Sequence, residues 1–466
     1  MRIPNGLLTS KQLFFISEAM AKYGDDYEAV VDITTRQNLQ LRGLKLEDTS
    51  DLITGLVELG LGSYSSGLDN VRNVVGSPLA GIDSLEDFDT RQIWTNHTFK
   101  YQHTQPSPSK EINDMVTGNN KGNPEWANLP RKFNIAVSGS RDDYAHTHIN
   151  DIGLQAVRHE KTGEAGFNVV LGGYFSTKRA AGSVDLNLWV PPGQVLNLCY
   201  SILRIFRDHG HRKDRQKARL LWLIEEWGLE TFRNAVLEEM QTNAKYGVGE
   251  ENSLPVDGEQ RHAGYSWVGL HVPVGRFRAF EIHELGRLAE KYSGGEMRLT
   301  VEQNVIFPNV RDEEVASLLA DPFIAGGRFK INPGPIARGL VACTGAQFCG
   351  VGLVETKTRA IELAEKLEAA YDIPQTVRMH FSGCPNSCGQ SQVADIGLMG
   401  APAKKDGKAV EGVDVFLGGA VGEGGWVLEA ALGEKFLKNV AMGEEDSDVL
   451  SALGELLVER FGAVKK

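Results

Sequence analysis

The sequence predicts a mixed α+β protein, internally duplicated, and two repeated patterns and one asymmetry support that prediction. In the first pattern, "RIPNG" (2–6) leads into an amphipathic stretch, Ser10–Tyr23, and then "DITTRQNLQLRG"; "HVPVG" (271–275) leads into residues 280–292 and "MRLTVEQNVIFPN". In the second, Ser138 and Gly139 precede the "DIGL" at Asp151 by twelve residues, and Ser382 and Gly383 precede the "DIGL" at Asp395 by the same twelve. The asymmetry is that four of the five cysteines lie in the second copy alone.

Taken in order, each copy opens as strand, helix, strand, because apolar residues at helical spacing separate two β-rich runs, and a further helix follows at 48–60 and at 312–320. Each later reaches a buried strand ending in paired glycines, "GFNVVLGG" up to Gly173 and "GVDVFLGG" up to Gly419. Residues 83–128 lack periodicity and contain the polar "QPSPS" run at 105–109, an insertion longer than compact domains usually hold. Residues 213–244 read as a charged helical region between the copies. The expected units are 1–82, 83–128 as linker or insertion, 129–256, 257–330 and 331–466.

A chain of 466 residues with 41% hydrophobic content can build about three ordinary cores without disulfides. Its net charge of -12 argues against binding nucleic acid or an anionic membrane through a basic surface. No apolar run approaches the length of a membrane span. Sparse cysteines and no secretory leader pattern lead to the expectation of a soluble protein in a reducing compartment.

Differences between the copies locate the chemistry. Arg36 in "TTRQN" stands opposite Glu302 in "TVEQN", while the adjacent Gln and Asn recur, so the recurring pair is assigned to structure and the differing position to function. On the same alignment Ser140 stands opposite Cys384, and Tyr144 opposite Cys388. Cys343, Cys349, Cys384 and Cys388 leave five, thirty-four and three residues between successive thiols, in glycine-rich turns that let an inorganic group approach the backbone. A gap of five suits zinc pairs poorly, so a [4Fe-4S] cluster is favoured over structural zinc. Cys199, among Leu196, Leu198, Ile202 and Leu203, reads as a small buried hydrophobe. His146 and His148 lack a nearby third ligand and read as loop structure rather than a metal site.

The motifs "TTRQN", "DNVRN", "SPLAGID", "NLPRKFN", "HINDIG", "TVEQN", "ACTGAQFCG" and "GCPNSCGQ" follow one another along nearly the whole chain, and in this order the sequence resembles the nitrite/sulfite reductase family, in its ferredoxin-dependent, nitrite-reducing branch. The resemblance implies ferredoxin-like half-domains and pseudo-two-fold symmetry. It also implies a [4Fe-4S] cluster on the four cysteines, with Cys388 shared with the iron of sirohaem, and six-electron reduction of nitrite to ammonium in nitrate assimilation, fed singly by reduced ferredoxin. By family position, Arg2, Arg72, Lys132 and Asn134 would contact nitrite. Arg36, Arg131, Lys178 and Arg179 are the candidates for the sirohaem carboxylates.

Asn134 separates nitrite from sulfite reducers, which tend to carry a second lysine there. Arg212, Lys213, Arg215, Lys217 and Arg219 offer a basic patch for an acidic ferredoxin. A monomer is expected, in plastid stroma rather than bacterial cytoplasm. Two alternatives stand beside this reading: an assimilatory sulfite reductase, and a non-catalytic cluster-bearing remnant. The second arises because relatives carry sequence ahead of Arg2, so that a strand beginning at Met1 is expected to fray, and because the 94–109 insertion is long.

Overall fold

The computed structural model describes residues 1–24, 29–64, 66–83, 112, 115–118, 122–139, 143–242, 264–421, 430–443 and 447–466. The 94–109 insertion and Ser140 lie outside the described residues. Helix Ser10–Tyr23 starts where Thr9 and Gln12 form a reciprocal capping box, and it buries Leu13, Ile16, Ala19 and Met20. Its counterpart, Ala279–Tyr292, buries Ile282, Leu285, Leu288 and Ala289 and packs directly against it. Gly286 allows the close approach, since a Cβ there would lie 2.9 Å from the Phe14 ring.

The strands of these two segments are exchanged. Leu7–Thr9 pairs antiparallel with Glu296–Leu299, in a sheet completed by Val305–Arg311 and Tyr265–Leu270. Reciprocally, Arg276–Phe277 pairs antiparallel with Val30–Ile33, which pairs with Leu39–Arg42. Each copy thus lends its opening strand to the other's sheet. Ile3, Leu8, Val31 and Leu39 share one core with Val272, Leu285, Leu299 and Phe307, so segments 1–82 and 257–330 meet in a single hydrophobic unit.

The remaining strands build two matching five-stranded sheets. One runs Val75–Gly76, Ile135–Ser138, Ile152–Arg158, Ala165–Leu171, Val184–Val190, and the other Leu340–Ala342, Met379–Ser382, Ile396–Lys405, Lys408–Leu417, Glu434–Ala441. In both, the first two pairings are parallel and the others antiparallel. Each sheet has its own core, the first closed by helix Val195–His209 with Cys199 fully buried, the second by Lys357–Ala370 and Ser447–Phe461.

The helical region expected over 213–244 is broken. A short 3-10 turn, Arg215–Lys217, precedes helices Leu220–Trp227 and Leu229–Thr242, and Gly228 between them takes a φ of 82° that only glycine adopts easily.

The recurring Gln and Asn fix the two copies in the same way. Gln37 donates to the carbonyls of Gly76 (3.0 Å) and Leu299 (2.9 Å) and accepts from Gly76 N. Gln303 donates to Ile33 (2.9 Å) and Ala342 (2.8 Å) and accepts from Ala342 N. Asn38 and Asn304 accept from Ile3 N and Val272 N at 3.1 and 3.0 Å. Both glutamines are buried, so each fastens one copy's turn to strands of both halves.

Candidate active site

Cys343 follows Leu340–Ala342, and Cys384 and Cys388 lie in the turn after the adjacent parallel strand Met379–Ser382. Sheet geometry therefore places both cysteine pairs at one end of the same sheet, where parallel strands finish together. Gly383 N donates to Cys343 Sγ at 3.1 Å, and Asn386 Nδ2 to Cys384 Sγ at 3.4 Å. Burial raises the Cys343 thiol, against the pull of the Gly383 and Gly345 N–H groups.

The Cys388 residue is exposed to solvent, with protein on its other sides. Its thiol is raised by burial and lowered by Lys132, and the other three thiols add to the rise, so all four share one electrostatic neighbourhood. Among the described residues no three His, Cys, Asp or Glu side chains converge as a single ion would need. Four thiolates in one neighbourhood are the ligand set a [4Fe-4S] cluster takes.

The cations come from the other copy. Burial, followed by repulsion from Arg219, lowers Lys132 to about 8. Arg36 donates to Asn150 Oδ1 (2.8 Å) and to the carbonyls of Asn73 and Ile135; burial and Arg72 lower it to about 9, which leaves it charged at neutral pH. Arg72 is half-buried, donates to Ser66 and Leu68 carbonyls, and feels the Cys388 thiol.

Arg2 is 2% exposed and donates to the carbonyls of Val71 (2.7 Å) and Arg72 (2.9 Å). Its backbone N–H bonds Gly62 O at 2.8 Å and the Met1 ammonium bonds Leu39 O at 2.7 Å, which ties these first residues to the rest of the fold. Asn134 donates its backbone N–H to Asp151 Oδ2 (2.8 Å), while its Oδ1, and the Nε atoms of Arg36 and Arg72, are buried without a protein partner. Buried polar groups without a protein partner are what a site for an external ligand offers.

The other expected residues lie elsewhere or are engaged by protein. Arg131 reaches Asp69 at 3.3 Å, Lys178 is exposed, and Arg179 forms a two-point pair with Glu225 (2.9 and 2.7 Å) and stacks 5.1 Å over Trp222. The expected basic docking patch is reduced in the same way. Arg215 pairs with Asp69, and Arg219 is 3% exposed and bonded to Asp151 at 2.5 Å, its guanidinium over Tyr174. His148 bonds Asp143 (2.9 Å) and His146 shares a hydrogen bond with Gln390 (2.9 Å), both within the protein.

One expected surface charge proves buried, and one residue beside Cys388 was not anticipated. Arg219 had read as a surface charge, because a run of charges says nothing about which member is buried. Thr35, whose hydroxyl donates to the Cys388 carbonyl at 2.9 Å, had a usable signal, since Val301 stands at its position in the other copy.

Two family models match the chain: "Nitrite/Sulfite reductase ferredoxin-like half domain" at residues 1–59 and 258–322, and "Nitrite and sulphite reductase 4Fe-4S domain" at residues 67–244 and 334–453. The chain is 48% identical to a ferredoxin–nitrite reductase of Synechococcus elongatus over 99% of its own length and 86% of that protein. It is 43% identical to the chloroplastic ferredoxin–nitrite reductase of Arabidopsis thaliana, over 100% of this chain and 76% of the relative. Among solved structures, the Mycobacterium tuberculosis NirA protein superposes with a TM-score of 0.82 at 28% identity, covering 98% of this chain and 80% of that one.

Proposed function

The chain belongs to the nitrite and sulphite reductase family, and from that membership we propose how its residues serve the reaction. The reaction is ferredoxin-dependent six-electron reduction of nitrite to ammonium, with sirohaem and a [4Fe-4S] cluster as cofactors. When bound, these groups pass single electrons to the substrate nitrogen. Cys343, Cys349, Cys384 and Cys388 are the residues that would hold the cluster, with Cys388 shared between cluster and haem.

The observation that carries this layout is that Cys388, from the second copy, shares an electrostatic neighbourhood with Lys132 and Arg72 from the first. A thiolate ligand and cationic oxyanion donors then lie within reach of one substrate. Arg72 and Lys132 bind the nitrite oxygens, and Arg2, from beneath, holds the Arg72 carbonyl and so the Arg72 backbone. Lys132, lowered by burial to about 8, is suited to deliver protons as each oxygen leaves as water. The unpartnered Asn134 Oδ1 marks the substrate edge. Arg36 supplies positive charge for the sirohaem carboxylates, with Arg131, Lys178 and Arg179 farther out.

Ferredoxin is read as docking at the cluster face rather than the 212–219 segment. Val351 and Leu353 are 63% and 47% exposed just beyond Cys349, and Phe348 lies between Arg42 and Arg276, at 5.6 and 5.5 Å. Val351→Glu should slow ferredoxin-linked turnover and spare turnover with a small artificial donor. No helix among the described residues is long and apolar enough to cross a membrane. A monomer in plastid stroma is the proposed setting, supported by the chloroplastic names of plant relatives, with bacterial cytoplasm the alternative offered by the cyanobacterial one.

Anaerobically purified protein tests the reading through its visible spectrum, its iron content and nitrite-dependent ammonium production. Sirohaem bands with ammonium formation are expected. A colourless zinc protein, or faster turnover with sulfite than with nitrite, would overturn it.

A further inference from the structure

The turn carrying Cys388 is tied to the first copy by a reciprocal pair of hydrogen bonds. Thr35 Oγ1 donates to the Cys388 carbonyl at 2.9 Å, and Gln390 Nε2 donates back to the Thr35 carbonyl at 3.4 Å. Gln390 is braced in turn, its Oε1 bonded to His146 Nδ1 at 2.9 Å and its backbone carbonyl 3.1 Å from His380 Nδ1. Thr35, Gln390, His146 and His380 are all buried, so water does not readily replace these contacts.

The equivalent position on the other side of the pseudo-two-fold lacks the hydroxyl. Val301 replaces Thr35 and Tyr144 replaces Cys388; the two line one cavity of about 550 Å³, and valine has no hydroxyl to donate. The threonine hydroxyl thus stands on the side that bears the thiol. A hydroxyl bonded to a ligand residue's own peptide fixes that peptide plane, which limits rotation of the sulfur, and it draws charge from the carbonyl dipole nearest the sulfur.

We infer that Thr35 is a positioning residue for the Cys388 thiolate: through the Cys388 peptide it sets the orientation of that sulfur and the electronic communication between the two redox groups it serves. This rests on the reading of Cys388 as the shared ligand.

Thr35→Val, which installs the second copy's residue with nearly unchanged shape, tests the inference in holoprotein, with Thr35→Ser and Cys388→Ser alongside. Iron and sirohaem contents, the visible and electron paramagnetic resonance spectra, the haem midpoint potential and nitrite kcat are measured for each. Thr35→Val is expected to keep both cofactors, to show weaker haem–cluster interaction and a lower potential, and to lose about 10- to 100-fold in kcat. Thr35→Ser should restore all three. Wild-type spectra and potential in Thr35→Val would overturn the inference, and so would loss of a cofactor from it, since that would make the residue merely structural. If the wild type shows no haem–cluster interaction, or Cys388→Ser keeps it, the shared-ligand reading fails instead.

Discussion

Positions 36 and 37 of the first copy and 302 and 303 of the second occupy equivalent turns, yet they have diverged differently. Gln37 and Gln303 make the same three hydrogen bonds to equivalent partners. Arg36 is bonded to Asn150, whereas Glu302 lines the cavity that contains Tyr144. The duplicated scaffold has been kept by the side chains that bond backbone, while on the proposed reading the residues of the site have specialised: thiols on one copy, cations on the other. The difference teaches that, on the proposed reading, each copy supplies what the other lacks.

The comparison breaks most severely at Cys388. Cys388→Ser should lower nitrite turnover well beyond the roughly 100-fold typical of losing a partner outside the ligand set, because it removes the thiolate that faces the other copy's cations. Ammonium production by purified holoprotein checks this.

The structural half of the comparison predicts symmetry. Gln37→Ala and Gln303→Ala should each destabilise the fold by about 2–3 kcal/mol, since each strands buried backbone groups, and urea unfolding should give similar values for the two. A large disparity would show that the copies do not share the scaffold equally.

The chemical half predicts a pH response from the first copy alone. Burial lowers Lys132 to about 8, so its ammonium is fully present below that pH and is lost as pH rises through it. The KM for nitrite should therefore climb above pH 8, by roughly tenfold per pH unit once the neutral amine dominates. Lys132→Arg should flatten the profile. The smallest effect is expected at Asn134, where Asn134→Lys should raise sulfite turnover relative to nitrite by a few-fold; an unchanged ratio would remove Asn134 from specificity.

The repeat made much of this fold legible. Apolar spacing marked helix Ser10–Tyr23 and its counterpart, and the shared Gln-Asn pair marked the common turn. Strand exchange was not legible, because alternation within Leu7–Thr9 says which face is buried and nothing about which strand lies beside it. The thiols were conspicuous by residue type. Thr35 was not, since a threonine near a strand end usually serves the backbone. The break at Gly228 was hidden by charges continuing on both sides.

The exchanged strands also impose a timetable on synthesis. Val30–Ile33 cannot pair with Arg276–Phe277 until translation has advanced about 240 residues further. At 5–20 residues per second that is a wait of roughly 12–50 s, during which apolar residues such as Val31 and Leu8 lack their final neighbours. The nascent first copy is thus the stage at which a holding chaperone would matter most, and a composite site can be loaded with cofactor only when nearly the whole chain has left the ribosome.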